Sequence, residues 1–190
     1  MKNYLIQYLR NISRAGIQLH FSSASCCYGK FIIYCLLGPA ENIIHLSFAP
    51  DKHERAQKQL TSLDNSVEFH LLQQEKFPYN AVFHAYFTGS LTTFPMERDS
   101  PFLGGGTPFQ QRVWYHIAAI PYGSCITYRQ LAERVGSPNG YRAVGLACGA
   151  NPLALIIPCH RVIGQNSPGG FAGGAAVKES LLALEQARRG

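Results

Sequence analysis

The sequence has few acidic residues and no cysteine pair of the CxxC type. Its 190 residues include 11 Asp and Glu against 17 Lys and Arg, and the formal net charge is +6 at pH 7. A chain of this length does not need disulfides to fold, so its six cysteines are expected to be free thiols. We therefore place the protein in the reducing cytoplasm, or in the nucleus if the source is eukaryotic.

Long hydrophobic runs are also missing. No apolar run reaches the roughly 20 residues of a membrane span, and Met1-Lys2-Asn3-Tyr4 does not begin a signal peptide. Hydrophobic residues nevertheless make up 46% of the chain and aromatic residues 12%, which is enough for a packed core. The composition predicts one globular domain or two small ones, with no membrane association.

Positive charge is concentrated in the second half of the chain. Residues 1–103 carry nine Lys and Arg against eight Asp and Glu, whereas residues 104–190 carry eight against three. A basic half of this kind favours a polyanionic partner such as nucleic acid.

Residues 1–90 have the pattern of an α/β unit. Apolar runs predict strands at 30–37 and 42–48, and residues 53–63 predict a polar helix. The segment 94–101 and the glycine triplet 104–106 have the composition of a linker. We therefore predict two domains, residues 1–100 and residues 101–190.

Capping signals organise the chain after the linker. Thr107 to Gln110 predicts a helix start, and helical spacing of apolar residues continues to about Ile120. Residues 127–130 repeat the capping box, and Gly136 is placed to end that second helix. A third helix, predicted from about 138 to 150, completes a helix-turn-helix. Its small residues fit either close approach to a ligand, with an arginine projecting, or tight packing inside the domain.

The segment 156–164 carries the most distinctive chemistry. It sets the Cys159 thiol between Pro158 and the polar pair His160-Arg161. A buried cysteine is usually an inert apolar residue. A neighbouring base or cation, however, raises the thiolate fraction of a reactive cysteine. From spacing alone, both interpretations remain open.

A glycine-rich loop, 167–174, precedes the last predicted helix, in which Lys178 and Glu185 fall at polar positions. The loop lacks the GxxxxGKS/T pattern of a phosphate-binding loop. The wall of a binding pocket is the better interpretation.

Taken in order, these segments closely resemble the O6-alkylguanine-DNA alkyltransferases, also called methylated-DNA–protein-cysteine methyltransferases. The first 100 residues match only in length and in their strand-rich pattern. The family implies an α/β protein with an N-terminal RNase-H-like domain and a mainly helical, winged-helix-like C-terminal domain that contains the helix-turn-helix. The resemblance covers about residues 105–186 and rests on Thr107-Pro108-Phe109-Gln110-Gln111-Arg112-Val113-Trp114, Ile120-Pro121-Tyr122-Gly123, Thr127-Tyr128, Arg142-Ala143-Val144-Gly145, Asn151-Pro152, Ile157-Pro158-Cys159-His160-Arg161-Val162-Ile163-Gly164, Phe171-Ala172-Gly173-Gly174, Lys178 and Leu181-Leu182-Ala183-Leu184-Glu185.

The resemblance implies self-inactivating DNA repair. The family binds the minor groove of double-stranded DNA, flips out an O6-alkylguanine and transfers its alkyl group to a cysteine, here Cys159. O4-alkylthymine is a further implied substrate. Each molecule acts once, as a monomer and without a cofactor or nucleotide, and cooperative binding along DNA is left open.

The resemblance assigns the transfer step to three side chains. Cys159 would accept the alkyl group, His160 would take its proton through water, and Glu185 would fix the tautomer of His160. Adjacent residues of a regular strand face opposite sides, so this relay requires a turn at Cys159. The alternative is that these are a packed thiol, a core histidine and a solvated carboxylate.

DNA contacts are implied along the helix-turn-helix. Arg142 would fill the space of the extruded base, and Tyr128 would donate its hydroxyl to the flipped guanine or crowd its backbone. Arg129 and Ser137, at predicted helix N-termini, would contact phosphates, and Asn151 would tie the helices to the active-site turn. The alternatives are a phosphate-binding arginine, a core tyrosine and an asparagine that only ends its helix. Further base or DNA contacts are assigned to Val162, Gln165, Phe171 and Ala172.

The chain departs from the family pattern at three places. Tyr141 stands where alanine is usual, Phe171 replaces the tyrosine of the pocket loop, and the loop 165–170 is one residue shorter than common. These departures bear on the range of lesions and the efficiency of transfer.

Zinc is bound by the N-terminal domain of some relatives. Candidate ligands occur in this chain, but their spacing follows no standard zinc pattern, and we predict no metal. These candidates are Cys26, Cys27, Cys35, His45 and His84.

Two other functions compete with alkyl transfer. An alkyltransferase-like protein would bind lesions without transfer, but those relatives replace the cysteine that this chain keeps at Cys159. A Cys-His hydrolase or redox thiol protein would turn over repeatedly and would not need Arg142 in a helix-turn-helix.

Overall fold

The computed structural model describes residues 20–38, 41–63, 67–94 and 106–188. Most of the predicted linker lies outside these ranges, so the domain boundary between residues 100 and 101 stays a prediction. Within them, strands and helices form the mixed α/β fold that the sequence predicts.

Among the described residues, four strands form the sheet of the first half. β1 runs antiparallel to β2 and parallel to β4, and β2 runs antiparallel to β3. A tight turn joins β1 to β2 at Gly29, whose φ of 61° suits glycine. The strands predicted at 30–37 and 42–48 are confirmed. In the spatial order β3-β2-β1-β4, the sheet consists of β1 (His20–Tyr28), β2 (Phe31–Leu37), β3 (Ile43–Ser47) and β4 (Glu68–Leu72).

Two α-helices in the described part of the first half accompany this sheet. α1 (Pro50–Leu63) packs across β2 and β3 and begins earlier than the predicted residue 53. Proline in the first turn and Asp51 after it both favour that start. α2 (Asn80–Thr88) packs against β1 and buries three aromatic side chains, after a short 3-10 helix at Gln74–Lys76.

The second half is mainly helical. Both predicted capping boxes are present: the hydroxyl of Thr107 accepts from the Gln110 amide, and that of Thr127 accepts from the Gln130 amide. Its elements are α3 (Pro108–Ala118), β5 (Ile126–Thr127), α4 (Tyr128–Arg134), α5 (Tyr141–Gly149), a 3-10 helix at Cys159–Arg161, β6 (Val162–Ile163) and α6 (Ala175–Gln186).

α4 and α5 form the predicted helix-turn-helix, but the start of the second helix was predicted too early. Gly136, with φ of 74°, follows the end of α4. The amide of Gly140 then donates to the carbonyl of Ser137 at 2.7 Å, so these residues form a turn and α5 begins only at Tyr141. The prediction that Ser137 lies at a helix N-terminus is therefore wrong.

Backbone hydrogen bonds at the sheet edge join the two halves. The Leu46 amide of β3 donates to the carbonyl of Pro152 at 2.8 Å, and the Ala154 amide donates back to Leu46 at 3.0 Å. Phe48, just after β3, packs on Phe171 with 5.7 Å between ring centroids. The segment between α5 and the Cys159 turn is thus fixed against the sheet.

Within the described ranges, no helix combines the length and the apolar character needed to cross a membrane.

Candidate active site

Cys159 opens a short 3-10 helix instead of continuing a strand. Pro158 precedes it with φ of −77° and ψ of 63°, and the Arg161 amide donates to the Pro158 carbonyl at 2.9 Å. The turn that the relay requires between Cys159 and His160 is therefore present. Both side chains are buried, with 7% and 0% of their surface exposed.

Asn151, just after α5, contacts the Cys159 thiol. Its Nδ2 lies 3.2 Å from Sγ and donates to the Ile157 carbonyl at 2.8 Å. Burial raises the pKa of Cys159, and the hydrogen bond from Asn151 and the charges of Lys178 and Lys52 oppose that rise. The thiol is protonated at neutral pH, so its reaction as a thiolate needs a base.

His160, the next residue in the chain, carries an imidazole that can accept a proton. Its Nε2 lies 2.8 Å from Glu185 Oε1, and its buried Nδ1 has no hydrogen-bond partner. When Nε2 carries the proton and donates it to the carboxylate, Nδ1 keeps a free lone pair. Burial lowers the pKa of His160, which favours this neutral form.

Glu185 is the centre of a buried polar cluster. Arg161 donates to both of its oxygens through Nε and Nη2, the Tyr86 hydroxyl donates to Oε1, and the Gly123 amide donates to Oε2. Burial would raise the pKa of this carboxyl, but the hydrogen bonds from His160 and Arg161, and the charge of Arg161, lower it to about 2. Since Glu185 is 1% exposed, the interpretation as a solvated carboxylate is wrong.

Sequence reasoning missed two members of this cluster. The sequence indicates Arg161 only as a cation near the Cys159 thiol. Its position beside His160 could also have indicated a partner for the same carboxylate. Tyr86 lies 99 positions from Glu185, and nothing in the sequence connects the two. The guanidinium of Arg161 pairs with the buried carboxylate of Glu185 on α6, and its positive charge balances the negative charge there. This pairing explains why an arginine follows His160.

A cavity of about 470 Å³ extends from Cys159. Burial raises the pKa of Tyr128 to about 12, so its hydroxyl stays a hydrogen-bond donor at neutral pH. The glycine-rich loop supplies part of the wall, as the sequence predicts. The cavity is lined by Lys52, Tyr128, Tyr141, Gly145, Cys148, Gly149, Cys159, Gly170, Phe171 and Ala172.

Lys178 supports the same cavity from within the protein. It is fully buried on α6, and its Nζ donates to the carbonyls of Val162 at 2.6 Å and Gly170 at 3.3 Å. These bonds join α6 to the residue after the 3-10 helix and to the glycine-rich loop. The carbonyl of Val162 is thus already engaged by a protein donor.

A second thiol, Cys148, lines the cavity beside Cys159. Burial, and secondly the charge of Cys159, raise the pKa of Cys148 to about 12. Of the two thiols, Cys159 is the one that has the Asn151 amide as a donor.

The outer face of α5 is exposed. Leu146 exposes 76% of its surface and Tyr141 exposes 46%, and Arg142 is exposed beside them. Within the described ranges, no carboxylate lies within ion-pair distance of Arg142. This helix therefore presents an apolar and cationic surface next to the cavity.

The remaining predicted DNA contacts lie outside the cavity wall. Arg129 is exposed in the first turn of α4, and Gln165 is exposed in the loop after β6. Ser137 is partly exposed in the turn before α5, and Val162 is buried.

The residues considered as zinc ligands do not come together in the described ranges. A different group does: ligand atoms of His20, Glu68 and His70 lie within 4.8 Å of one another. All three side chains are exposed at the β1–β4 edge.

Comparisons with known proteins show which family the chain belongs to. The sequence profile of the family described as "6-O-methylguanine DNA methyltransferase, DNA binding domain" matches residues 108–187. A methylated-DNA–protein-cysteine methyltransferase of Methanosarcina barkeri is 39% identical over 152 residues, which cover 80% of this chain and 89% of that protein. The chain belongs to this methyltransferase family. The resemblance seen in the sequence is confirmed.

Solved structures of family members have the same fold. The crystal structure of the Mycobacterium tuberculosis O6-methylguanine methyltransferase matches with a TM-score of 0.71 and 32% identity, over 90% of this chain and 95% of that one. The structure of M. tuberculosis OGT in complex with DNA matches with a TM-score of 0.66 and 34% identity, over 89% of this chain and 94% of that one. In sequence, the M. tuberculosis methyltransferase is 49% identical over 106 residues, which span 55% of this chain and 62% of that protein.

Proposed function

We propose that this protein repairs DNA by moving the alkyl group of an O6-alkylguanine in duplex DNA onto its own Cys159. The observation that carries the proposal is the thiol at the wall of a cavity, next to a histidine oriented by a buried carboxylate. Membership of the methyltransferase family supports the same reaction. The protein is then a methylated-DNA–protein-cysteine S-methyltransferase that acts once.

The chemical step is a displacement at the alkyl carbon. The Cys159 sulfur forms a bond to that carbon while the bond from carbon to O6 breaks, and the electron pair of the broken bond stays on the guanine. His160 Nδ1 takes the thiol proton through a water molecule, and guanine gains a proton as it leaves. The alkyl group thus moves from guanine to sulfur, and a proton moves from the thiol to guanine. The thioether that remains has no route back to a thiol.

Glu185 has a positioning role in this step. Its hydrogen bond to Nε2 fixes the tautomer in which Nδ1 can accept, and its charge stabilises the imidazolium that forms. Arg161 keeps the carboxylate ionised, since its guanidinium helps to lower the pKa of Glu185.

Access to the lesion requires that the base leave the duplex. The exposed Arg142 is suited to fill the space of the extruded base, which offsets a flipping cost of a few kcal/mol. Tyr128, Phe171 and Ala172 line the cavity that would hold the base. Backbone groups around Cys159 and Val162 would read its edge, with the exception of the Val162 carbonyl, which Lys178 already binds. Arg129 and Ser137 would contact phosphates, and Gln165 would contact DNA.

The finer parts of the proposal follow the family. We infer an RNase-H-like first half, in line with the β3-β2-β1-β4 order, and a winged-helix-like second half. We also infer monomeric action in the cytoplasm or nucleus, without metal or cofactor, and a weaker reaction with O4-alkylthymine.

The deciding experiment is incubation with a duplex that carries O6-methylguanine, followed by intact-protein mass and peptide mapping. We expect one methyl group per molecule, on Cys159, and none in Cys159→Ala. Binding without any mass change would favour a lesion-binding protein instead. Repeated turnover with an unmodified Cys159 would indicate a hydrolase or redox function.

A further inference from the structure

Lys52 is the one cavity residue, among those described, that comes from the first half of the chain. It lies in the first turn of α1, partly exposed, while every other lining residue lies at or beyond Tyr128. The first half therefore contributes a side chain to the candidate site itself, and not only a sheet for the second half to rest on.

The ammonium group of Lys52 is held at the C-terminal end of α5. Its Nζ donates to the carbonyl of Gly149, the last residue of α5, at 2.7 Å. The last carbonyls of a helix lack amide partners and carry partial negative charge, so a cation at this end is favourable. The bond links two elements that are 97 residues apart in sequence.

The positive charge of Lys52 is not cancelled by a nearby carboxylate. Its neighbour Asp51 pairs with Arg55 at 3.1 Å on the outer side of α1. No ion pair in the described ranges includes Lys52 itself. Its charge is therefore available to the cavity that it lines together with Cys159.

We propose that Lys52 is a further positioning residue for alkyl transfer, which holds the end of α5 at the cavity and stabilises the thiolate of Cys159. The proposal deepens the function proposed above and rests on it. The other cation near the thiol, Lys178, is fully buried and bound to two carbonyls. Lys52 is instead partly exposed and lies in the wall of the cavity.

The charge of Lys52 acts on the pKa of the Cys159 thiol together with Asn151 and Lys178. Burial raises the pKa of Cys159, and Lys52 is among the groups that oppose this rise. Removing the charge should move the pH profile of thiol reactivity to higher pH. Below the pKa the rate follows the thiolate fraction, whereas above it the profiles should converge.

The test compares Lys52→Met, Lys52→Arg and the control Lys58→Met, which removes an exposed lysine from the same helix. Carbamidomethylation of Cys159 by iodoacetamide is followed against pH, with site-resolved mass analysis. We expect Lys52→Met to react about three- to tenfold more slowly at neutral pH, since a tenfold change corresponds to one pKa unit. Lys52→Arg and Lys58→Met should follow the wild type.

A second assay measures methyl transfer from the duplex and from free O6-benzylguanine. We expect Lys52→Met to slow both by a similar factor. A loss confined to the duplex would make Lys52 a DNA contact, and an equal loss at every pH would make it merely structural; either result overturns the proposal. Because iodoacetamide needs no DNA lesion, failure of the wild type to accept a methyl group would refute the proposed function separately.

Discussion

The cluster around Glu185 and the outer face of α5 are built in opposite ways. In the cluster, His160, Arg161 and Glu185 are almost fully buried, and the carboxylate accepts hydrogen bonds from several donors. On α5, Arg142 and Leu146 are exposed, and among the described residues no carboxylate pairs with Arg142.

The proposed function makes two different demands on these regions. Transfer of a proton needs one tautomer and one ring orientation, which a satisfied buried cluster fixes. Insertion into DNA needs side chains that can move from water into the duplex. Such side chains must not be held by ion pairs with other groups of the protein. Mutations in the first region should therefore affect stability and chemistry together, whereas mutations in the second should affect reaction with duplex alone.

The largest effect is expected from Glu185→Gln. The change leaves Arg161 and His160 without their anion, and breaking a buried pair costs about 3–5 kcal/mol of unfolding free energy. The wrong tautomer of His160 also becomes accessible, so methyl transfer should slow by roughly 100-fold. Urea unfolding and single-turnover kinetics measure the two effects.

Glu179→Gln serves as the control, since Glu179 is exposed on the same helix α6. It should change neither stability nor rate. If Glu185→Gln retained wild-type stability while losing activity, the cluster would be dedicated to chemistry and the contrast between the two regions would be weaker than we infer.

Arg142→Ala should have the next largest effect, restricted to duplex substrate. Without the insertion, extrusion of the base loses about 1–3 kcal/mol of support, a ten- to hundredfold slower transfer. Reaction with free O6-benzylguanine and the unfolding free energy should remain unchanged. Arg112→Ala, an exposed arginine of α3, is the matched control. Equal losses on both substrates would show that Arg142 does not act in flipping.

The helices of the second half could be predicted from the sequence because the residues that start and end them lie close together in the chain. Thr107 and Thr127 begin capping boxes, and Gly136 allows the left-handed turn after α4. The start of α5 could not be placed, since Pro138 imitates a helix start. The hydrogen bond from the Gly140 amide to the Ser137 carbonyl, which keeps these residues in a turn instead of a helix, depends on the conformation of the whole turn.

The site itself was predictable only in part. Cys159, His160 and Glu185 follow from the resemblance, and the short segment that contains the first two signals reactivity. The partners Tyr86 and Lys52 come from elements of the first half, where no motif identifies them. Such contacts arise from the packing of distant segments, which no local spacing encodes.

Acid should destabilise the protein through the cluster around Glu185. Glu185 has a pKa of about 2 in the folded protein against 4.5 ordinarily, so its contribution to stability is complete above pH 4.5. That contribution is lost as the pH falls from 4.5 towards 2, because the unfolded chain then binds the extra proton. Urea midpoints measured down this range should fall more steeply for the wild type than for Glu185→Gln. Parallel curves would show that the carboxylate is not held ionised by its partners.

The smallest effect is expected from Cys148→Ala, which removes the second thiol of the cavity. The pKa of Cys148 is raised to about 12, and its thiolate fraction at neutral pH is therefore very small. We expect methyl transfer within about twofold of the wild type, because the reactive form is the thiolate. Peptide mapping of Cys159→Ala after exposure to the alkylated duplex provides the reverse test. A methyl group found on Cys148 in that variant would mean that position in the cavity, and not the local environment of Cys159, selects the acceptor.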